Sequence, residues 1–262
     1  MKTAVVTGDS SGLGREYVRR IASCEREIEE IWVIARRKER LEEVRSNVRE
    51  INQELHVCVL PMDLTQEKEL DRLEEKMYRE KPEIRILINA AGFGKVGNYA
   101  KIGRKESGAM IDLNCRAAVE ITQICLPYMG KGSRILQICS TAAFQPFPRL
   151  NVYAASKAFL YRYSRALRIE LSGRGIRVTA VCPYWIRDTE FISIAEQADR
   201  SGSIRHFPLA SSAASVVKWS LADSRLGLPV STPGPVCLLH RIAAKFVPSE
   251  LMMGLWALIR RL

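Results

Sequence analysis

The 262-residue sequence predicts a single α/β domain built on a doubly wound parallel sheet and extended by a C-terminal helical tail. Short aliphatic runs alternate six times with longer stretches of helical periodicity. The hydrophobic content of 47% and charged content of 26% are ordinary for a folded domain. Because each parallel connection needs a crossover long enough to hold a helix, this alternation favours helices on both faces of the sheet.

The aliphatic runs have the length and composition of buried strands. They cover residues 3–7, 31–35, 56–60, 84–89, 134–140 and 177–183. Apolar residues between these runs recur at intervals of three and four, as on one helix face. The clearest examples are Leu41, Val44, Val48 and Ile51, and then Leu70, Leu73 and Met77. We expect a dinucleotide-binding and catalytic domain over 1–235, with a short last strand within 229–235, and an amphipathic tail over 236–262.

Composition argues against several classes of function. The formal charge is +11, but the basic residues alternate with acidic ones, so we expect no nucleic-acid binding. The seven cysteines form no C-x-x-C pair and the three histidines lie far apart, so we expect free thiols and no metal site. No apolar run approaches the ~20 residues of a membrane span, and the N-terminus resembles a strand rather than a signal peptide. We therefore expect a cytoplasmic protein.

A glycine-rich turn, Thr7-Gly8-Asp9-Ser10-Ser11-Gly12-Leu13-Gly14, follows the first strand and opens a helix. Free backbone N–H groups and the positive end of the helix dipole suit a pyrophosphate there. The alternative is a helix-starting turn that merely contains glycines. The strand before it and the helix after it favour a dinucleotide site, and with it a Rossmann-type sheet.

The end of the second strand indicates which dinucleotide binds. NAD sites place an acid there for the ribose 2′-hydroxyl, whereas this strand ends in Arg36-Arg37. Guanidinium groups can bind a 2′-phosphate with paired hydrogen bonds and stack on adenine. The alternative is a pair of solvated arginines at a helix start, where they would oppose the helix dipole. We predict NADP(H) as the cofactor.

Tyr153 and Lys157 are four residues apart, so they share a face if the segment is helical. An ammonium beside a phenol stabilises the phenolate, and we expect it to lower the tyrosine pKa from about 10 toward neutrality. Such a pair is common on ordinary amphipathic helices. The pair becomes stronger evidence for a catalytic site in combination with Ser140, which ends the fifth predicted strand.

With these motifs in register, the sequence resembles the short-chain dehydrogenase/reductase family over about residues 3 to 190. The matching elements are Thr-Gly-x-x-x-Gly-x-Gly at 7–14, Asp63-Leu64, Asn89-Ala90-Ala91-Gly92, Asn114, Ser140 and Tyr153-x-x-x-Lys157. The resemblance implies that Tyr153 exchanges a proton with the substrate and that Ser140 hydrogen-bonds the substrate oxygen. It also implies that Lys157 binds the nicotinamide ribose and that Asn114 holds the water of a proton relay.

The resemblance further implies a cofactor site and an oligomer. The residues expected to bind the cofactor are Gly8, Ser10, Ser11, Gly12, Leu13, Gly14, Arg36, Arg37, Asp63, Leu64, Asn89, Ala90, Gly92, Tyr153, Lys157, Pro183 and Ile186. Asp63 would contact adenine, and Asn89 with Gly92 would line the cofactor. A homodimer or homotetramer would form on the helices that carry Asn114 and Tyr153, and Phe159 and Leu160 could pack there.

The segment after the sixth strand departs from the family pattern. Tyr184 stands where the family commonly has glycine, and Thr189 comes one residue late, with Asp188 in the usual threonine position. The family's usual contact with the nicotinamide is therefore not expected in the same form here, and Tyr184 is a candidate wall of the substrate site. A substrate lid is expected over about 188–215. Its apolar residues, which favour a hydrophobic substrate, are Phe191, Ile192, Ile194, Ile204, Phe207 and Leu209.

The C-terminal tail is predicted to form two helices separated by Pro248. In the second, one apolar stripe holds Leu251, Leu255, Leu258 and Leu262, and the next holds Met252, Trp256 and Ile259. Arg260 and Arg261 flank them. The tail could pack on its own domain or on a dimer partner; alternatively, it could rest on a membrane surface or cap a lipophilic channel.

These observations together predict an NADP(H)-dependent oxidoreductase that interconverts a carbonyl and a secondary alcohol on a hydrophobic small molecule. One alternative is a dinucleotide-binding regulatory or scaffold protein without turnover. The intact set of Ser140, Tyr153, Lys157 and Asn114 argues against it. Another is a peripheral membrane protein that acts through its tail.

Overall fold

The computed structural model describes residues 1–98, 100–189 and 210–259. In these residues, seven strands form one parallel sheet in the order β3-β2-β1-β4-β5-β6-β7. The strands are β1 Lys2–Thr7, β2 Glu30–Ala35, β3 His56–Pro61, β4 Glu83–Asn89, β5 Met129–Ile138, β6 Arg177–Val181 and β7 Val230–Ser231. The order extends outward from β1 in both directions, so the predicted doubly wound, Rossmann-type α/β fold is confirmed.

Helices connect these strands and cover both faces. They are α1 Gly12–Cys24, α2 Lys38–Ile51, α3 Glu67–Glu80, α4 Arg104–Ile111, α5 Ala118–Cys125, α6 Asn151–Glu170, α7 Ala213–Leu226, α8 Pro235–Phe246 and α9 Ser249–Ile259. A π-helical turn, Asp112–Ala117, joins α4 to α5. Short 3₁₀ turns lie at Leu126–Tyr128, Thr141–Ala143 and Ser172–Arg174.

The sheet is buried on both faces because alternate side chains of each strand point in opposite directions. On β1, Ala4 and Val6 pack in a core cluster with residues of α1, α2 and α7. Val5 packs on the other face with residues of α3, α5 and α6. The central strands therefore hold their carboxyl ends in fixed positions, where ligands bind in this type of sheet.

The first four strands differ from the sequence prediction by one residue each, and the next two differ by more. β5 begins at Met129 rather than Arg134 and ends at Ile138 rather than Ser140. It ends early because Ser140 caps the following 3₁₀ turn, accepting a hydrogen bond from the Ala142 amide. β6 ends at Val181 rather than Pro183, since proline has no N–H to donate to a neighbouring strand.

The predicted lid lies mostly outside the described residues, including all of its apolar side chains from Phe191 to Leu209. The tail forms α8 and α9, with Pro248 between them, and residues 260–262 also lie outside the described part. Among the described helices, none has both the length and the apolar character needed to cross a bilayer.

Candidate active site

A cavity of about 350 Å³ lies at the carboxyl ends of β1, β4, β5 and β6. It brings the glycine turn and the serine–tyrosine–lysine set to one place, although they are far apart in sequence. The predicted site residues that line it are Gly8, Ser11, Gly12, Leu13, Gly14, Ala90, Gly92, Ser140, Tyr153, Lys157, Pro183 and Ile186.

The glycine turn after β1 packs directly against the loop after β4. Gly8 has φ +73°, and a Cβ on it would lie 2.6 Å from the Ala91 Cα. A Cβ on Gly14 would lie 2.5 Å from the Gly8 carbonyl oxygen. The Thr7 hydroxyl also accepts hydrogen bonds from the Ala90 and Ala91 amides, at 3.2 and 3.1 Å. Only glycine allows these backbones to approach so closely.

The N-terminus of α1 opens onto this cavity. Ser11 is the N-cap residue, but its side chain makes no capping hydrogen bond, and the first turn carries no acidic residue. The first amides of α1 therefore keep their hydrogen-bonding capacity, and the positive end of the helix dipole faces the cavity. The glycines have no side chains to cover the backbone, so a ligand can approach the amides closely. The glycine turn and the first amides of α1, together called the cradle, therefore fit a dinucleotide pyrophosphate.

Arg36 and Arg37 extend this cradle from the end of β2. Both are exposed, and the Arg37 guanidinium donates a 3.1 Å hydrogen bond to the Ser10 hydroxyl. A second hollow beside the turn also carries cations, namely Arg15, Arg19 and Arg40. Glu16 pairs with Arg19 in this hollow, so the positive charge at the edge of the glycine turn next to β2 is carried chiefly by Arg36 and Arg37.

Asp9 lies inside the same turn and is fully buried. Neither of its carboxylate oxygens has a hydrogen-bond partner within the described ranges. Burial raises the pKa of this carboxyl well above its ordinary value, and the nearby Asp9 and Ile34 amides oppose the rise only in part. A carboxyl that favours its neutral form places less negative charge under a bound phosphate.

Ser140 and Tyr153 place two hydroxyl groups in the wall of the cavity. The Ser140 hydroxyl accepts a 3.1 Å hydrogen bond from the Ala142 amide, so its own proton remains available to another acceptor. The side chains of Ser140 and Tyr153 are also hydrogen-bonded to each other. Tyr153 is 7% exposed, and this burial raises the pKa of its phenol above the ordinary value although the Ser140 contact lowers it.

Lys157 lies one helical turn beyond Tyr153 on α6, as predicted from their spacing. Its Nζ donates a 2.7 Å hydrogen bond to the Ile138 carbonyl and lies 5.9 Å from the centre of the Tyr153 ring. The expectation that Lys157 lowers the Tyr153 pKa toward neutrality is wrong for this structure. Burial of the phenol dominates, so Tyr153 holds its proton more firmly than a solvated tyrosine.

Asn114 lies in the π-helical turn and holds the loop after β4. Its Oδ1 accepts a 3.0 Å hydrogen bond from the Phe93 amide, and its Nδ2 donates to the Phe93 carbonyl and to the Ser156 hydroxyl. A Cβ on Gly92 would lie 2.9 Å from Asn114 Oδ1 and 3.2 Å from Lys157 Nζ. The structure thus gives the Asn114 side chain a positioning role, whereas the relay water stays a prediction.

Six predicted cofactor residues do not line the cavity: Ser10, Arg36 and Arg37, described above, and Asp63, Leu64 and Asn89. The Asn89 Nδ2 donates to the Thr122 hydroxyl at 2.9 Å and so ties β4 to α5. Asp63 accepts hydrogen bonds from the amide and the hydroxyl of Thr65, at 3.1 and 2.8 Å. Leu64 is buried in the core. Asn89 therefore fixes the end of β4 against α5 without contacting the cavity. The contact of Asp63 with adenine stays a prediction.

The segment after β6 still reaches the cavity despite its departure from the family pattern. Tyr184 and Thr189 both line the cavity, and a Cβ on Gly12 would lie 3.4 Å from the Thr189 Cβ. Asp188 turns away and accepts a 2.8 Å hydrogen bond from the Ala213 amide at the start of α7. The one-residue shift therefore leaves a threonine beside the glycine turn.

The rest of the cavity is an apolar chamber covered by the tail. Trp256 of α9 is 9% exposed, packs edge-on against Phe147 at 5.1 Å and donates a 3.3 Å hydrogen bond to the Pro148 carbonyl. The other apolar residues that line the chamber are Phe93, Leu150, Tyr184, Trp185, Val236, Met252 and Leu255. The tail thus packs on its own domain and forms one wall of the site.

One polar pair lies within this chamber. His240 Nε2 and Gln145 Oε1 are 3.0 Å apart, and both residues line the cavity. The rings of Phe144 and Phe147 meet the His240 ring edge-on, each at 5.8 Å. Burial lowers the pKa of His240, which favours the neutral imidazole. Sequence analysis missed this pair because its members are 95 positions apart and match no motif.

Two other features concern the histidines, cysteines and acidic side chains. In residues 1–98, 100–189 and 210–259, no group of three His, Cys, Asp or Glu side chains could hold a metal ion. The cysteines are free thiols, and five of the seven are buried.

Comparison with known proteins places this site in a family. The family model described as short chain dehydrogenase matches residues 2–199. The chain belongs to the short-chain dehydrogenase family.

Several short-chain dehydrogenases are similar over most of the chain. Sulfoacetaldehyde reductase 2 of Chromohalobacter salexigens is 31% identical over 206 residues, which cover 76% of this chain and 78% of that protein. A short-chain dehydrogenase from Sphingobium yanoikuyae, solved in complex with NADPH, superposes with a TM-score of 0.80 and 28% identity, covering 97% of this chain and 95% of that one. A bulky-bulky ketone specific alcohol dehydrogenase from Comamonas testosteroni superposes with a TM-score of 0.75 and 26% identity, covering 100% and 95%.

Proposed function

We propose that this short-chain dehydrogenase is an NADPH-dependent reductase of bulky, apolar ketones or aldehydes. The observation that carries the proposal is the position of the Tyr153 hydroxyl. It lies beside Ser140, between a dinucleotide cradle and an apolar chamber. A carbonyl oxygen placed there would meet two hydroxyl donors while its apolar substituents fill the chamber.

The residues of the chain supply the proton and its stabilisation. The bound dinucleotide supplies the hydride. The Ser140 hydroxyl, whose oxygen already accepts from Ala142, donates to the substrate oxygen and orients it. Tyr153, which holds its proton firmly when no ligand is bound, transfers it to that oxygen as negative charge develops there. Lys157, 5.9 Å from the ring, then stabilises the phenolate that remains on Tyr153.

Lys157 has a second role toward the cofactor. Its ammonium has three N–H groups, and one of them is committed to the Ile138 carbonyl at 2.7 Å. The others face the space left by Gly92 and can donate to ribose hydroxyls. The same residue would therefore hold the nicotinamide ribose and support the catalytic tyrosine.

NADP(H) is the proposed cofactor because β2 ends without an acid. Arg36 and Arg37 follow Ala35 directly, and Arg37 already contacts Ser10 of the glycine turn. The similar protein from Sphingobium yanoikuyae was solved with NADPH. A 2′-phosphate at this edge would be neutralised by guanidinium groups, whereas the 2′-hydroxyl of NAD would find no carboxylate.

The substrate class is inferred from the lining of the chamber. Among the described lining residues, Lys157 is the charged one, and it lies at the cofactor end. His240 favours its neutral form, so the far wall offers hydrogen bonds but little positive charge. This lining suits an apolar substrate with at most a neutral polar group. The ketone-specific similarity fits that inference, whereas a sulfonate group like that named for the Chromohalobacter protein would meet no counter-ion among the described residues of the far wall.

Assembly and location are also proposed. Ile111 next to the Asn114 turn and Phe159 on the catalytic helix are exposed, at 52% and 49%. Phe159 stacks on Tyr163 with ring centres 6.4 Å apart, which presents a flat aromatic surface. These residues fit a homodimer or homotetramer built on α4 to α6. The cytoplasmic location stays a prediction. Light scattering at micromolar concentration tests the assembly, and a monomer would contradict it.

A screen of ketones and aldehydes that follows NADPH absorbance tests the proposed activity. Bulky apolar ketones should be reduced faster than small anionic aldehydes. Gln145→Leu, which removes a chamber hydrogen bond, should change the order of preference among ketones with a second polar group. A protein that binds NADPH but reduces none of the compounds would support the dinucleotide-binding regulatory or scaffold alternative instead.

A further inference from the structure

Exposed apolar side chains are concentrated on the tail. Of the seventeen large hydrophobic residues exposed in the described part of the chain, eight lie between positions 238 and 258. They are Leu238, Leu239, Ile242, Phe246, Val247, Leu251, Leu255 and Leu258, and we call them the outer face. A soluble monomer rarely leaves so many large apolar side chains together in water, so the outer face needs a partner.

The two sides of α9 have different environments. Trp256 is buried and Met252 half-buried on the side that covers the chamber. Leu251, Leu255 and Leu258 follow one another at helical spacing on the other side and are 53% to 66% exposed. The helix therefore needs only one apolar stripe to pack on the domain. The second stripe is not needed for that packing, and it comes directly after the exposed face of α8 in the chain.

Basic residues accompany the outer face. Arg241 and Lys245 lie four apart on α8, where Arg241 is half-buried and Lys245 exposed, and Lys245 Nζ is 5.7 Å from the centre of the Phe246 ring. In sequence, residues 236–262 contain four arginines and lysines but a single acid, Glu250. The whole chain carries a formal charge of +11. A partner that is both apolar and negatively charged at its surface matches this composition.

A second copy of the chain fits less well. A two-fold contact would place the same patch on both sides, so the arginine and lysine of one copy would face those of the other. Like charges brought together oppose such association. A bilayer with anionic headgroups instead offers negative charge at its surface and hydrocarbon just beneath.

We propose that the outer face of α8 and α9 docks on a lipid bilayer that contains anionic lipids. Long side chains such as Leu239 and Phe246 enter the acyl region, while Arg241 and Lys245 extend to the headgroups. Leu255 is 53% exposed and also lines the cavity, so it lies at the rim of the chamber. Docking there brings the rim against the lipid, where apolar molecules concentrate.

Flotation of the whole protein with vesicles tests the docking directly. Phosphatidylcholine vesicles that contain phosphatidylserine should carry the protein, pure phosphatidylcholine vesicles should carry less, and added salt should weaken binding. Phe246→Glu and Leu239→Glu should each lower the partition coefficient by at least about tenfold. Arg241→Gln and Lys245→Gln should each lower it about fivefold, on the anionic vesicles only.

Leu226→Glu provides the matched control. Leu226 lies on α7 and is 76% exposed, comparable with Leu239 at 65%, so its replacement should leave vesicle binding unchanged. Thermal unfolding should be alike for these variants because each side chain is exposed. Absence of wild-type flotation, or equal losses in Phe246→Glu and Leu226→Glu, would refute the proposal. It would also be refuted if light scattering without lipid showed a dimer that Phe246→Glu dissociates. None of these outcomes depends on turnover, so the proposed reductase activity is tested separately.

Discussion

Trp256 attaches α9 to the domain, and we predict that Trp256→Ala releases this helix. The indole is 9% exposed, meets the Phe147 ring edge-on at 5.1 Å and donates to the Pro148 carbonyl at 3.3 Å. Leu251, Leu255 and Leu258 of the same helix are exposed and contribute little to packing on the domain. Trp256 is the one buried side chain among the described residues of α9, so we expect it to supply the largest share of the attachment.

The expected magnitude follows from these contacts. Truncation of a buried tryptophan to alanine costs about 3–5 kcal/mol. This total includes roughly 0.5–1.5 kcal/mol for the edge-on aromatic pair. A helix of 11 residues is marginal in water without tertiary packing, so a loss of this size is enough to detach it. The sheet and its two core clusters do not depend on Trp256 and should remain folded.

Hydrogen exchange measured by mass spectrometry is the assay. Amides of residues 249–259 should exchange at least about a hundredfold faster in Trp256→Ala, since 3 kcal/mol corresponds to roughly that factor. Leu258→Ala, at a 59% exposed position of the same helix, should exchange as the wild type does. The KM for bulky ketones should rise in Trp256→Ala because one wall of the chamber is lost. Unchanged protection of α9 in Trp256→Ala would refute this account of the tail.

Three further substitutions test other parts of the site. Gly92→Ala should lower kcat, because the added Cβ would lie 2.9 Å from Asn114 Oδ1 and 3.2 Å from Lys157 Nζ and would push both groups away. A single-turnover rate equal to that of the wild type would contradict this prediction. Arg36→Asp should weaken NADPH binding by roughly 1.5–3 kcal/mol and leave NADH binding less affected, as measured by fluorescence titration; equal losses would contradict a 2′-phosphate contact. Asp9→Asn should raise the thermal midpoint near neutral pH. Burial penalises the Asp9 carboxylate in the folded chain but not in the unfolded chain, so wild-type stability falls as pH rises above the ordinary carboxyl pKa. Melting at several pH values should show the difference in midpoint closing toward acid.

Periodicity was sufficient to predict the sheet and the helices that cover it. Runs such as residues 84–89 are mostly apolar because β4 is buried on both faces. The same signal could not locate the end of β5, where Ile138, Cys139 and Ser140 all read as strand. The strand ends there because Ser140 turns its oxygen to the Ala142 amide, and local capping of this kind leaves no trace in hydrophobic periodicity.

The site was predictable where motifs carry the chemistry and unpredictable where distant segments meet. The four-residue spacing of Tyr153 and Lys157 placed both on one helix face, but it could not reveal that burial outweighs the lysine in setting the Tyr153 pKa. The Gln145–His240 pair arises from packing of the tail on the domain. Apolar periodicity gave α9 two stripes, but only the structure shows that the stripe with Trp256 faces inward.

The most direct test of the central claim compares NADPH-dependent ketone reduction by the wild type and by Tyr153→Phe. The substitution keeps the ring but removes the proton that we assign to the substrate oxygen. NADPH binding, followed by cofactor fluorescence, should be unchanged, while the single-turnover rate on a bulky apolar ketone should fall by on the order of a hundredfold or more. Reduction of the same ketone by Tyr153→Phe at the wild-type rate would contradict the proposed mechanism.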